Sequence, residues 1–139
     1  MKNDKKIFRK LRHQRKILNQ GFSRSDGLYD IESIIIDTKS YDIPRKNRNP
    51  LTAGQPLHEM KVKLTIDMNL KIISAKAKTK SAPYKICKQA NSNIKNLIGE
   101  TIGPGWRKKV HSSIGGTNGC THVRELLISM ATVAFQTLY

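Results

Sequence analysis

Long apolar runs are missing from this sequence: no uninterrupted stretch exceeds three residues, Ile34–Ile36 being one. That excludes a transmembrane helix and the apolar core of a secretory leader. Cysteine is scarce, at two of 139 residues, which excludes a disulfide scaffold. With four Tyr, three Phe and one Trp, no base-stacking platform is evident. Acids are few as well, 10 Asp+Glu against 26 Lys+Arg, and the formal charge is +16. What is present is enough for a core: 37% of residues are hydrophobic, and chains of roughly 100–200 residues usually fold as one domain. The expectation is a soluble, cytoplasmic, basic protein, with a basic N-terminal arm over residues 1–12 and a single α+β domain over 13–139.

The charge is uneven. Residues 1–16 hold eight bases and one acid, residues 17–60 five and six, and residues 61–139 thirteen and three. Eighteen of the 26 cations are Lys, whereas Arg is the better residue for bidentate phosphate or guanine recognition. The excess therefore predicts nonspecific, salt-sensitive attraction to polyanions, and does not by itself predict a nucleic-acid function.

Asp26-Gly27 between two strand-like runs is the strongest hairpin signal. It places strands at about 15–24 and 28–38. Residues 43–56 contain three of the five prolines and read as a loop. A second hairpin follows. Val62, Leu64 and Ile66 alternate with lysines, a turn forms around Asp67-Met68-Asn69, and Ile73, Ala75 and Ala77 line the return strand. The apolar phase slips between Ile72 and Ile73, which suggests a bulge. One face then carries Lys61, Lys63, Lys76, Lys78 and Lys80, and a solvated face is the simpler reading of it. Helices are expected over about 83–98 (core stripe Ile86, Ala90, Ile94, Leu97, Ile98, with Gly99 as the stop), Arg107–His111 and about 121–138. The Lys5–Leu18 segment could alternatively form a basic amphipathic helix. The fold expected is thus a four-stranded antiparallel sheet of two hairpins packed against C-terminal helices.

His13-x-Arg15, the run Gly21-Phe22-x-Arg24-x-Asp26-Gly27-Leu28-Tyr29-Asp30-Ile31-Glu32 and Asp37-Thr38-Lys39-x-Tyr41-Asp42 resemble the opening of a bacterial family, domain of unknown function family 2889. The resemblance continues through Gly54-x-Pro56-Leu57-His58-Glu59-Met60, Ala82-Pro83-Tyr84-x-x-Cys87, Gly103-Pro104-Gly105-Trp106 and Gly119-Cys120-Thr121-His122, covering nearly the whole chain after the arm. Members usually extend further, with a Cys-His pair beyond the position of Tyr139. The resemblance implies a relative for the fold and a place for a site, but no established reaction. It also favours a strand over a helix at His13–Arg15.

The sharpest chemical constellation is Gly119-Cys120-Thr121-His122. A Cys opening a helix sits where backbone N–H groups and the helix dipole stabilise a thiolate, and His122 can share a soft metal with it. Cys87, His58, Glu59 and His13 are further candidates, so the hypothesis is a Zn or Fe site of Cys87, Cys120 and His122 completed by His58 or a carboxylate. The order of sheet and helices is also similar to that of iron–sulfur scaffold proteins, without a matching third cysteine. The blander account makes Cys87 a small core residue beside Ala90 and Ile94, and Cys120 a helix-start filler. A ligand cleft is expected around His58, Glu59, Trp106, Cys120 and His122. His58 is expected in a loop just before a strand. Asp26, Asp30, Glu32 and Asp37 are expected to be structural carboxylates, paired with residues such as Arg15 and Arg24. No Gly-x-Ser-x-Gly elbow, phosphate loop, dinucleotide fingerprint or HExxH occurs. The function expected is a noncatalytic ligand- or metal-binding accessory protein. The alternatives are a small enzyme acting on an anionic small molecule through Cys120 or His58, and a basic nucleic-acid-binding module.

Overall fold

The Asp26-Gly27 turn joins two eleven-residue strands, β1 (His13–Ser23) and β2 (Tyr29–Lys39), in a computed structural model that describes residues 5–81, 93–114 and 121–139. Gly27 has φ +86°, a left-handed conformation that glycine adopts without a side-chain clash. The Asp26 carboxylate accepts the Leu28 N–H at 3.2 Å, an Asx turn that closes the hairpin. Residues 5–12 form neither helix nor strand, so the strand reading of His13–Arg15 is the one realised.

The second hairpin pairs β3 (Pro56–Ile66) with β4 (Ile72–Ser81), and the sheet is antiparallel in the order β1-β2-β3-β4. Asp67 builds its turn by accepting the N–H groups of Asn69 and Lys71. The phase slip is a bulge. Thr65 pairs with Ser74 but Ile66 with Ile72, so Ile73 is the extra residue and is turned out to 45% exposure while Ile72 is buried.

Ile31 and Ile35 of β2, Met60, Val62, Leu64 and Ile66 of β3, and Ile72 and Ala75 of β4 give the sheet one apolar face. Two helices cover it, α1 (Trp106–Ile114) and α2 (Thr121–Thr137). The 3₁₀ turn Ile94–Leu97 adds Ile94 and Leu97 to the core. Most of the helix expected at about 83–98, with Cys87, lies outside the described residues. Within the described part Ile98 is 48% exposed and leaves the expected stripe, because the chain turns extended there before Gly99, at φ +93°. The basic helix expected at Arg107–His111 is longer and begins at Trp106. Burying about 25 cal/mol of stabilisation per Å² of apolar surface, the α2 stripe of Val123, Leu126, Leu127, Met130 and Ala134 is the main cover of the sheet. At its far end α2 approaches β1 where β1 has no side chain: a Cβ on Gly21 would lie 1.8 Å from Thr137 Oγ1.

Candidate metal centre

Side chains on one face of a strand recur at every second residue. On three strands the inward phase ends in a polar group at the same end of the sheet. Ile17 is followed inward by Arg15, Ile35 by Asp37 and Met60 by His58. Register then aligns them in one cross-strand row, with Arg15 opposite Asp37 and Asp37 opposite His58. A register shift between Asp37 and Thr38 ends the regular pairing there. His122, in the first turn of α2, closes over the row, and His13 stands two residues before Arg15 on the same face.

Asp37 is the hub, its side chain only 2% exposed. Arg15 holds it with two parallel bonds, Nε to Oδ1 at 2.7 Å and Nη2 to Oδ2 at 2.9 Å, and gives Nη1 to Glu125 at 2.8 Å. His122 Nε2 lies 3.0 Å from Asp37 Oδ2, His58 Nδ1 3.5 Å from the same oxygen, and His13 Nε2 3.4 Å from Oδ1. The His58 and His122 rings stand with centroids 3.9 Å apart. Burial pushes the Asp37 carboxyl up, but the hydrogen bond and charge of Arg15, then His122, outweigh it and hold the group at about 2. Burial, and then the neighbouring His122, Arg15 and His13 against the pull of Asp37, keep the His58 imidazole below its usual value.

Two features of this cluster are unresolved by protons alone. His58 Nδ1 is buried and makes no hydrogen bond, although it is within ion-pair distance of Asp37. His122 Nε2 also faces Arg15 Nη2 at 2.9 Å while facing Asp37 Oδ2. Arginine only donates and a carboxylate only accepts, so one ring nitrogen cannot satisfy both. The donor set Asp37, His58 and His122 converges within 4.8 Å. Metal–nitrogen and metal–oxygen bonds of about 2.0–2.2 Å place neighbouring ligand atoms of a tetrahedral shell roughly 3.3 Å apart. The 3.0 and 3.5 Å separations at Asp37 Oδ2 bracket that spacing.

The expected residues separate into three groups. His58 and His122 come together, and the carboxylate between them is Asp37, expected as a structural carboxylate. His58 is on β3 itself, not in a loop before it. Glu59, one residue on, points to the opposite face and pairs with Lys80 at 3.6 Å. Trp106 is in the core, 5% exposed, with Nε1 donating to the Leu127 carbonyl at 2.8 Å. Cys87 and Cys120 lie outside the described residues. Asp26 and Asp30 pair with Arg24, Asp30 also accepts the Thr65 hydroxyl, and Glu32 pairs with Lys61 at 2.9 Å. All three carboxylates are thus engaged in ion pairs. The signal that would have found Asp37 and Arg15 is the shared inward phase ending in charge on adjacent strands.

The sheet's other face carries the lysines. Lys61 is opposite Lys78 and Lys63 opposite Lys76. Glu32 and Asp30 of β2 answer Lys61 and Lys63, leaving Lys76 and Lys78 without an ion pair among the described residues. No described helix is long and apolar enough to cross a membrane.

No curated protein and no solved structure matches this chain. A family model does, over residues 13–136, nearly the whole span from the first strand to the end of α2. The chain therefore belongs to the family described as protein of unknown function (DUF2889).

Proposed function

We propose that this domain is a noncatalytic metal-binding accessory protein whose centre is Asp37, His58 and His122, with Zn²⁺ or Fe²⁺ as the ion. The observation that carries the reading is the buried, unbonded His58 Nδ1 beside a carboxylate oxygen and a second imidazole. Two imidazoles and one carboxylate suit either ion. Arg15 then acts behind the ligands, fixing the carboxylate plane as ligand-orienting partners do. His13 and Cys120, the latter two residues before His122 in sequence, are candidates to complete the shell. The test is elemental analysis of protein purified without a metal-affinity tag, followed by Zn²⁺ titration. About one equivalent is expected, with His58→Asn and His122→Asn each weakening binding by at least tenfold. Metal below about a tenth of an equivalent, with no saturable uptake, overturns it.

A second reading is favoured by the neutral state that burial gives His58: a small enzyme acting on an anionic small molecule, with His58 as general base and Asp37 orienting the ring. It requires turnover that disappears in His58→Asn.

A further inference from the structure

Away from the Asp37 row, α1 and α2 leave a groove of about 460 Å³ between them, within the range of about 300–1,000 Å³ usual for small-molecule sites. Arg107 and His111 are one helical turn apart on α1, beside the buried stripe of Trp106, Val110 and Ile114. Arg124 and Ile128 are one turn apart on α2, beside its buried stripe. All four line the groove.

The charges here are unbalanced. Arg107 and His111 have no ion pair or side-chain hydrogen bond among the described residues. Arg124 gives Nη2 to Thr121 Oγ1 at 3.3 Å, yet its Nε is buried without a partner. The groove's carboxylate, Glu125, is already taken by Arg15 on the sheet side. Arg107 and Arg124 thus line the same groove without an ion pair of their own among the described residues. A dianion balances them, and a phosphate group suits the planar forks of Arg better than a single carboxylate does. Ile128 offers an apolar wall to the body of the molecule.

We propose that the α1–α2 groove binds a small organic molecule bearing a phosphate group, held by Arg107 and Arg124 with His111 as a further hydrogen-bonding partner. The site is separate from the metal ligands and does not rest on the metal reading.

Calorimetric titration of the full chain with phenyl phosphate tests it, with inorganic phosphate and benzoate as companions. Saturable 1:1 binding is expected, tighter for phenyl phosphate than for either companion. Arg107→Gln and Arg124→Gln should each weaken it at least tenfold, with thermal denaturation confirming that both variants fold. Lys108→Gln, at a neighbouring exposed cation outside the groove, should leave binding unchanged. No saturation by about 10 mM overturns the site, as does an equal loss in Lys108→Gln, which would show general charge attraction. Benzoate binding as tightly as phenyl phosphate overturns the phosphate preference. Inorganic phosphate binding equally well overturns the organic body.

Discussion

Arg15 and Asp37 face each other directly across β1 and β2 and are joined by two parallel N–H···O bonds, although Asp37 stands where the apolar alternation of β2 would place a core residue. The pair is one-sided in exposure: the Asp37 side chain is 2% exposed and that of Arg15 is 36%. Removing the cation leaves the buried carboxylate with only imidazoles as partners, and deletions of that kind cost up to about 3 kcal/mol. Arg15→Ala is expected to lose about that much in urea unfolding at pH 7. Because the folded carboxyl is held at about 2, below its ordinary 3.8, the unfolded chain binds the extra proton between those values. Stability from this group is therefore present above about pH 4 and lost as pH falls toward 2. The gap between wild type and Arg15→Ala should close over that window. A gap constant down to pH 2 would contradict the assignment.

His58 moves the same balance nearer neutrality. Its imidazole is held below the ordinary 6.5, first by burial and then by the neighbouring His122, Arg15 and His13 against the pull of Asp37. The unfolded chain thus takes up a proton that the folded one resists, and stability rises with pH through the region just below 6.5. His58→Gln should flatten that rise. Proton NMR of the imidazole, with a midpoint below the usual histidine value, gives the direct check; a midpoint above it contradicts the prediction.

Gly21 lets α2 lie against β1. Gly21→Ala places a methyl group 1.8 Å from Thr137 Oγ1 and 2.7 Å from Thr137 Cγ2. Overpacking of this kind costs about 1–3 kcal/mol. Thr137→Ala removes those two atoms and should restore part of the loss in a double-mutant cycle followed by thermal unfolding. Full additivity of the two substitutions would show that the contact does not decide how the helix docks.

On the opposite face Lys76 sits directly across from Lys63. Like charges opposed across strands disfavour folding by up to about 1 kcal/mol, and opposite charges reverse the sign. Lys76→Glu is expected to raise the melting temperature slightly at low salt and to weaken low-salt binding of a labelled oligonucleotide. If oligonucleotide binding persists at physiological salt and depends on Lys76 and Lys78, the nucleic-acid alternative gains over a merely solvated face.

Much of the scaffold was legible without coordinates. The Asp26-Gly27 turn, the Lys-flanked alternation of Val62, Leu64 and Ile66, the slip at Ile73 and the 3.6-residue stripe from Val123 to Ala134 are local signals, each set by neighbours within a few residues. His58 and His122, singled out from the sequence, do come together, with ring centroids 3.9 Å apart. Trp106 is seated in the core, 5% exposed. Its indole N–H finds the Leu127 carbonyl 21 residues away, a partner no local pattern reveals.

By itself, then, the sequence determined the two hairpins, the last helix that covers them, the apolar phase of β3 and the lysine face. Those follow from backbone sterics and from the burial of periodic apolar side chains, which act over short separations. Only the tertiary structure decided that Asp37 is a hub and not one more paired carboxylate. That required the registers of β1 on β2 and β2 on β3 to align Arg15, Asp37 and His58 in one row, and α2 to bring His122 across 85 residues onto the same oxygen. Register is a global property of the packed sheet, since a slip of one residue in any of the three strands would turn its member of the row to the opposite face.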